Sequence, residues 1–291
     1  MNGKPDGRWV TETLYEGEGF TCAFRADKVL YEEDTAEQHL VIFENRLFGR
    51  MMALDGITQV TERDEFIYHE MMTHVPILAH GKVRRVLIIG GGDGGILREV
   101  ARHKAVEKIT MVEIDPAVTE FAKLHLPQVS AGAFDDPRLD LVFADGAKFV
   151  EETGESYDVV IVDSTDPIGP GEVLFREEFY RAAKARLAPG GVIVTQNGVP
   201  FMQGAELAST IGKFRRLFRV ATCYMATIPT YVGGPMAMGW GTDDESLASL
   251  RVSELQARFE EARISTRYYT PAVHHAAFAL PRYVLDLVEN A

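Results

Sequence analysis

The chain has 291 residues, enough for one large domain or two smaller ones, and 46% hydrophobic with 25% charged residues is ordinary for a soluble globular protein. No apolar run approaches the ~20 residues of a membrane span, and a net charge of −13 disfavours nucleic acid as a partner. Cys22 and Cys223 support neither a disulfide framework nor a metal cluster. We therefore expect a cytoplasmic protein without a nucleic-acid or membrane partner.

Short β-branched and aromatic runs fill residues 8–61 and predict a small antiparallel sheet. The runs are 9–15, 20–25, 28–33, 39–44, 47–54 and 57–61. A helix is predicted over 62–80, and Pro76 is expected to bend or end it. The predicted division is an N-terminal β domain at 1–62, a helical connector at 63–84 and an α/β domain at 85–291.

From residue 86 the pattern alternates between strands and helices, which is typical of a doubly wound α/β sheet. The predicted strands are 86–90, 108–113, 139–144, 158–163, 191–196, 219–227 and 236–241. The predicted helices are 94–103, 116–125, 146–152, 176–187, 203–218 and 252–263. Because only the short link 229–234 joins the last two strands, they are expected to form an antiparallel hairpin, as in adenosyl-binding transferases.

A glycine-rich turn joins the first of these strands to its helix. Gly90, Gly92 and Gly95 satisfy G-x-G-x-x-G, so the dinucleotide site of an oxidoreductase is one interpretation. Asp93 argues against it, because a carboxylate in this turn would repel a pyrophosphate at the helix N-terminus. The same carboxylate would attract a cationic ligand without phosphate, or it only caps the helix.

Two further strands end next to acidic residues. Glu113 closes the second strand 21 residues after Gly92, close to the ~20-residue spacing at which an acid reaches ribose hydroxyls. Asp145, before Gly146, follows the third strand and either accepts from an exocyclic amino group or caps the next helix. Glu113 therefore predicts a nucleoside site, and the role of Asp145 stays open between these two.

The fourth strand leads into a loop with two carboxylates, Asp163 and Asp166, stiffened by two prolines. The first and fourth strands usually flank the point where the strand order reverses, so these carboxylates should face the same crevice as Asp93. Three acids around one cleft favour a polycation, although Asp166 also suits a turn. Tyr68 and Tyr231 are candidates for the walls of an aliphatic channel, but spacing alone favours the core for both.

Five separated motifs together resemble the polyamine aminopropyltransferase family, and within it the bacterial spermidine synthases. The motifs are GGGDGG at 90–95, EID at 113–115, DSTDPIGP at 163–170, LDG at 54–56 with TERDEFIYHE at 61–70, and IPTY at 228–231. They span nearly the whole chain. The resemblance implies an S-adenosylmethionine-methyltransferase-like, Rossmann-like sheet after a small N-terminal antiparallel β domain, in a homodimer or homotetramer.

The family transfers the aminopropyl group of decarboxylated S-adenosylmethionine to putrescine, which gives spermidine and methylthioadenosine. The resemblance implies that the adenosyl part is bound by Gln38, Gly90, Gly92, Glu113, Asp145, Gly146 and Pro170. It implies that the amines are bound by Tyr68, His69, Asp93, Ser164, Asp166 and Tyr231. Asp93 would hold the aminopropyl ammonium of the donor, and His69 stands where some relatives carry Gln.

Asp163 is the candidate proton acceptor, since a primary amine with a pKa near ~10.4 is protonated at neutral pH and cannot attack carbon. Neither a metal nor a cofactor is expected, because decarboxylated S-adenosylmethionine is a co-substrate and the spacing of His69 and His74 does not match H-E-x-x-H. The alternatives are an S-adenosylmethionine-dependent methyltransferase, an aminopropyltransferase acting on cadaverine, agmatine or spermidine, and a non-catalytic binding module.

Overall fold

The computed structural model describes residues 7–34, 38–167 and 169–291, with backbone only for residues 169 and 170. The N-terminal part forms two antiparallel sheets instead of the single sheet expected. The first pairs β1 (Arg8–Glu12) with β2 (Cys22–Ala26). The second has the order β3 (Lys28–Asp34), β4 (His39–Asn45), β5 (Gly49–Leu54) and β6 (Ile57–Thr61).

Strand β4 is apolar on both faces because each face has its own partner. Leu40 and Ile42 belong to a hydrophobic cluster with residues of the second domain, among them Val118. Val41 and Phe43 point the other way and pack in the cluster that contains β1 and β2 residues. The four-stranded sheet is thus a layer between the two-stranded sheet and the second domain.

Helix α1 (Glu65–His80) follows and is buried along nearly its whole length. It continues past Pro76 to His80 and ends at Gly81, whose φ of 75° permits the left-handed cap. Pro76 therefore does not end the helix. A proline removes one backbone hydrogen bond, and here the burial of the surrounding turns offsets that loss.

The second domain is built on a seven-stranded sheet with the order β12-β13-β11-β10-β7-β8-β9. The strands are β7 (Arg85–Gly90), β8 (Lys108–Glu113), β9 (Leu139–Phe143), β10 (Tyr157–Asp163), β11 (Leu187–Gln196), β12 (Val220–Ala226) and β13 (Met236–Thr242). Strand β13 runs antiparallel to both of its neighbours, which confirms the predicted hairpin. The other described pairs are parallel.

Nine helices follow α1 in the described part of the chain and cover both faces of the sheet. They are α2 (Gly95–Arg102), α3 (Pro116–His125), α4 (Pro127–Ser130), α5 (Gly146–Glu152), α6 (Glu177–Ala185), α7 (Pro200–Leu217), α8 (Val252–Ala262), α9 (Pro271–Ala277) and α10 (Arg282–Glu289). Helices α4, α9 and α10 were not predicted. Within β7, Ile88 belongs to one buried cluster while Leu87 and Ile89 belong to the other, as expected for a strand covered on both faces.

The topology brings the first and fourth strands of this domain side by side. Gly90 at the end of β7 pairs in register with Asp163 at the end of β10. On either side of this pair the chain leaves the sheet in opposite directions, so a crevice opens above the strand ends. No helix in the described ranges is both long and apolar enough to cross a membrane.

Candidate active site

A large cleft lies above the carboxyl ends of β7, β8 and β10 and is closed on one side by the N-terminal domain. Thirteen of the fourteen predicted site residues line it: Gln38, Tyr68, His69, Gly90, Gly92, Asp93, Glu113, Asp145, Gly146, Asp163, Ser164, Asp166 and Tyr231. The fourteenth, Pro170, lies in a short 3-10 helix, Gly169–Phe175, and its side chain is outside the described part of the structure. The chain therefore gathers residues from seven separate segments around one space.

The glycines of the turn after β7 are required by close approach. A Cβ on Gly90 would lie 2.1 Å from the carbonyl oxygen of Asp163, and one on Gly92 would lie 2.8 Å from Oε2 of Glu113. The φ angles of Gly90 and Gly91 are 81° and 73°, in the left-handed region. Only glycine satisfies both conditions at position 90, so the turn can bring its backbone against the end of β10 and the carboxyl group of Glu113.

Glu113 ends β8 and lies almost fully buried beside this turn. Its Oε1 accepts the backbone N–H of Asp115 at 3.0 Å, while its Oε2 faces Gly92. Burial raises the pKa of Glu113 to about 7, and the backbone hydrogen bonds only partly oppose that rise. A pair of ribose hydroxyls would supply the donors that stabilise the ionised form.

Asp145 performs the capping role that the sequence left open. Its Oδ1 accepts from the backbone N–H of Ala147 at 2.8 Å and of Lys148 at 3.3 Å, which satisfies the first turn of α5. The residue also lines the cleft, next to Gly146. Capping therefore holds the side chain at the cleft wall, and a contact with an adenine amino group stays a prediction.

Asp93 likewise combines a structural and an electrostatic role. Its Oδ1 accepts the backbone N–H of Gly95 at the start of α2 at 2.7 Å, and its Oδ2 lies 3.4 Å from Nε2 of His69. Nδ1 of the same imidazole lies 2.6 Å from Oε2 of Glu65. Burial alone would lower the pKa of His69, but Asp93 and Glu65 outweigh it and raise the pKa to about 10. An imidazolium thus bridges two carboxylates.

Asp163 lines the cleft at the end of β10. Burial, followed by the negative charge of Asp93, raises the pKa of its carboxyl to about 6. Oδ1 accepts a 2.6 Å hydrogen bond from the hydroxyl of Tyr68, which stabilises the ionised form and limits the rise. A buried carboxylate whose pKa approaches neutrality is suited to accept a proton from a substrate.

Tyr68 is buried, Tyr231 is partly buried against the core, and both line the cleft. Each side chain therefore packs in the core and also forms part of the cleft wall. Their rings meet edge to face with centroids 6.2 Å apart. The hydroxyl of Tyr231 donates to the backbone carbonyl of Gln59, which fixes the ring. Both rings present apolar surface next to the acids, which suits the methylene groups of an alkylamine.

The second carboxylate of the loop, Asp166, has different neighbours from Asp163. Its Oδ1 accepts a 2.6 Å hydrogen bond from the side-chain amide of Gln203. Burial raises its pKa, and hydrogen bonds from Gln203 and Gln196 partly oppose that effect. Between the two acids, the buried Oγ of Ser164 has no hydrogen-bond partner within the described residues.

Sequence reasoning missed several polar residues of the cleft: Glu12, Tyr15, Gln59, Gln196 and Gln203. Two of them had a usable signal, since Gln59 lies between the LDG and TERDEF motifs and Gln196 ends a predicted strand. Tyr15 and Gln203 had none, because nothing local relates a residue in an N-terminal loop to one in a helix nearly two hundred residues later.

Comparison with known proteins gives two domain matches that together cover most of the chain. Residues 8–62 match the spermidine synthase tetramerisation domain, and residues 65–250 match the spermine/spermidine synthase domain. A polyamine aminopropyltransferase of a Ruegeria species is 58% identical over 96% of this chain and 98% of its own length. One from Pseudomonas syringae is 59% identical over 96% and 97%.

Solved structures agree with these matches. A spermidine synthase in complex with the transition-state analogue AdoDATO superposes with a TM-score of 0.92 and 36% identity over 100% of this chain and 99% of that one. The Thermotoga maritima spermidine synthase superposes with a TM-score of 0.88 and 34% identity over 99% and 98%. The chain therefore belongs to the spermine/spermidine synthase family, the polyamine aminopropyltransferases.

Proposed function

We propose that this aminopropyltransferase is a spermidine synthase, which transfers the aminopropyl group of decarboxylated S-adenosylmethionine to putrescine. The observation that carries the proposal is the arrangement of one cleft with Glu113 at one part of its wall and Asp93, Asp163 and Asp166 at another. A single acid suits ribose hydroxyls. A cluster of acids lined by two tyrosines suits an alkyl chain that carries ammonium groups.

The choice of donor follows from charge. Three carboxylates that line the cleft, Asp93, Asp163 and Asp166, outnumber the cationic His69, whose other neighbour Glu65 is also paired with Arg98, so the amine part of the cleft is negative. The decarboxylated donor brings a sulfonium and an ammonium into this field. Ordinary S-adenosylmethionine would also bring a carboxylate next to Asp93, which like-charge repulsion disfavours.

The transfer is a displacement at the carbon next to the sulfonium. An ammonium group of putrescine first gives a proton to Asp163, and its freed lone pair then attacks that carbon as the carbon–sulfur bond breaks. Sulfur keeps the bonding electron pair to give methylthioadenosine, the new bond gives spermidine as a protonated secondary amine, and Asp163 releases its proton to solvent. Tyr68 orients the accepting carboxylate, and the ring of Tyr231 helps to hold the amine in line.

We further propose that the reaction needs no metal or redox cofactor. A sulfonium is a good leaving group without activation, so a base and correct positioning are sufficient for the step. Dialysis against EDTA should leave the rate of methylthioadenosine release unchanged. A loss of rate that zinc or magnesium restored would contradict this part of the proposal.

The test is a product analysis with separate amines. The purified protein is incubated with decarboxylated S-adenosylmethionine and putrescine, cadaverine, agmatine or spermidine, and both methylthioadenosine and the new polyamine are quantified. We expect spermidine from putrescine to form fastest. If another amine gave product faster, that amine would be the acceptor instead of putrescine. If ordinary S-adenosylmethionine gave S-adenosylhomocysteine, the reaction would be methyl transfer instead.

We also propose that the chain self-associates through its N-terminal sheets, as a homotetramer or a homodimer. The match of residues 8–62 to a tetramerisation domain supports this. Exposed apolar side chains on this segment, Trp9 and Leu47, are consistent with a covered surface.

A further inference from the structure

Gln203 makes hydrogen bonds with every polar group of its side chain. Its Oε1 accepts from the hydroxyl of Tyr15 at 2.7 Å and from the backbone N–H of Val199 at 2.9 Å. Its Nε2 donates to Oδ1 of Asp166 at 2.6 Å and to Oε2 of Glu206 at 3.2 Å. The two donors to Oε1 fix which way the amide faces, so its NH₂ group must face the two carboxylates.

The backbone of α7 is distorted at this residue. Gln203 has φ −117° and ψ 34°, outside the helical region, although the helix continues on both sides. Gly198, with φ +57°, makes room for the amide, since a Cβ there would lie 2.2 Å from Oε1 of Gln203. A kinked helix and a position restricted to glycine are both unfavourable, and a solvent-exposed glutamine would require neither.

Side-chain hydrogen bonds from Gln203 and Gln196 hold Asp166 in place. Asp166 sits on the loop after β10, between residues 164 and 167, which lies outside helix and strand. Gln203 ties Oδ1 of this carboxylate to α7, and through Tyr15 to the segment that follows β1. Gln196 donates a further hydrogen bond to Asp166, and the residue itself lines the cleft, within reach of a ligand there.

We propose that Gln203 is a positioning residue that sets the length of the diamine accepted, by fixing Asp166 at a constant separation from Asp163. The inference rests on the proposed function, in which Asp163 takes the proton of the attacking nitrogen. The second ammonium of an α,ω-diamine then pairs with Asp166. With both acids held, a diamine of one length places its attacking nitrogen in line with the donor carbon, and one more methylene displaces that nitrogen.

Such an anchor selects between diamines of different length without a side chain that blocks the longer one. Displacement of a reacting atom by about 1 Å can cost ~100-fold in rate, so a fixed anchor discriminates strongly between neighbouring chain lengths. A mobile Asp166 would follow the longer chain and lose this discrimination. Glu206, whose pKa burial and Asp166 raise to about 8, adds negative charge behind the anchor when ionised.

The test compares putrescine with cadaverine in Gln203→Leu, which keeps side-chain volume and removes all four hydrogen bonds. We expect KM for putrescine to rise about tenfold, the cost of one hydrogen bond to a charged group. The ratio of kcat/KM for putrescine over cadaverine should fall at least fivefold, while KM for the donor stays within twofold. Tyr15→Phe should shift the same ratio in the same direction by a smaller factor, about twofold to threefold.

A control on the same helix is Ser209→Ala, whose exposed hydroxyl only accepts from Lys213 and should leave the ratio unchanged. If Gln203→Leu does not fold, Tyr15→Phe decides alone. A ratio that stays at the wild-type value in both folded variants would overturn the inference, even if both are slower. If the wild-type protein releases no methylthioadenosine with either diamine, the proposed function fails instead, which separates the two results.

Discussion

Asp163 brings together the features that a buried general base requires. It ends a central strand, it is enclosed, and Asp93 helps burial to bring its pKa to about 6. The hydroxyl of Tyr68 holds one oxygen, so the carboxylate has a fixed direction. Bound cationic substrates would lower this pKa again, which leaves orientation as the larger part of its contribution.

Replacement of this residue should therefore affect turnover and spare donor binding. We expect Asp163→Asn to lower kcat about 100-fold to 1000-fold, since a positioned base contributes roughly 10²–10⁴-fold, while the Kd of the donor changes by less than about fivefold. Methylthioadenosine release measures the first quantity, and calorimetric titration with the donor measures the second. Asp140→Asn, at an exposed carboxylate on β9, is the matched control. A variant with near-normal turnover would remove Asp163 from the role of base.

Glu113 illustrates a conflict between stability and binding at one residue. Burial raises its pKa from 4.5 to about 7, so the folded chain holds a proton there more tightly than the unfolded chain does. The folded state is therefore penalised as pH rises from about 4.5 to 7, and above pH 7 the cost stays near 3 kcal/mol. Below pH 4.5 both states are protonated and the penalty disappears.

Glu113→Gln should remove this penalty and weaken donor binding. At pH 8 we expect Tm to rise by about 5 °C, and at pH 5 by much less, because the wild-type side chain is then protonated in the folded state. Donor affinity at pH 8 should fall about tenfold, since a charged acceptor for two hydroxyls is lost. Thermal melts at the two pH values and titration with methylthioadenosine check both effects. An equal gain in Tm at both pH values would show that the charge of Glu113 is not the cause.

At the scale of elements, the contact between α1 and α2 rests on a buried charged cluster. Oε1 of Glu99 accepts from Nε of Arg98 at 2.7 Å, and its Oε2 lies 3.1 Å from His74 and 3.2 Å from Arg102. Burial alone would raise the pKa of Glu99, but His74, Arg98 and Arg102 outweigh it and lower the pKa to about 2. The ionised carboxylate of Glu99 therefore joins α1, which carries His69, to α2, which follows Asp93.

Glu99→Gln should destabilise the protein in a way that depends on pH. We expect a loss of about 3 kcal/mol at pH 7, because removing one member of a buried ion pair leaves the others uncompensated. Because the pKa of Glu99 is lowered in the folded state, its contribution to stability is present above pH 4.5 and is lost as pH falls towards 2. The difference in free energy of unfolding between variant and wild type should therefore narrow over that range, and urea unfolding at each pH measures this difference. Glu107→Gln, at a solvent-exposed pair with Arg84, should cost less than about 1 kcal/mol, and an equal cost for both would refute the argument.

The elements that the sequence predicts well are those whose signal is local. The second domain's strands carry runs of aliphatic residues, since both faces of each central strand are covered, and predicted and observed strands of the sheet overlap throughout. The hairpin of β12 and β13 followed from the short link between them. Asp93, Asp163 and Asp166 could be placed at one crevice because parallel strand ends share an edge.

The remaining features depend on contacts between distant segments. Helix α7 begins at Pro200 and is distorted at Gln203, whose hydrogen bonds reach Tyr15 and Asp166. Hydrophobic periodicity does not reveal such a contact between distant segments. The sequence therefore predicted a helix that begins at residue 203 instead of Pro200. The imidazolium of His69 likewise depends on Glu65, one helical turn before it, and on Asp93, which the fold brings from another element.

At the scale of the whole molecule, the cleft belongs to both domains. The N-terminal part contributes Glu12, Tyr15, Gln38 and Gln59, while Asp93, Asp163 and Asp166 come from the second domain. The described part of the chain contains no group of three or more His, Cys, Asp or Glu side chains arranged to hold a metal ion. A displacement of the N-terminal sheets would move Gln38 and Tyr15, which line the cleft, so under the proposed function we expect assembly to affect activity.

Self-association should depend on apolar side chains of the N-terminal segment. Trp9 is 61% exposed and Leu47 57% exposed in the single chain, and both fall within residues 8–62. We expect light scattering to give about four times the 32.3 kDa of one chain, and a smaller assembly for the Trp9→Glu/Leu47→Glu double variant, since charges in an apolar interface are costly to bury. Leu124→Glu, at a side chain 65% exposed in the second domain, is the control and should leave the mass unchanged. A monomeric wild type, or a double variant of unchanged mass, would show that these side chains do not form the interface.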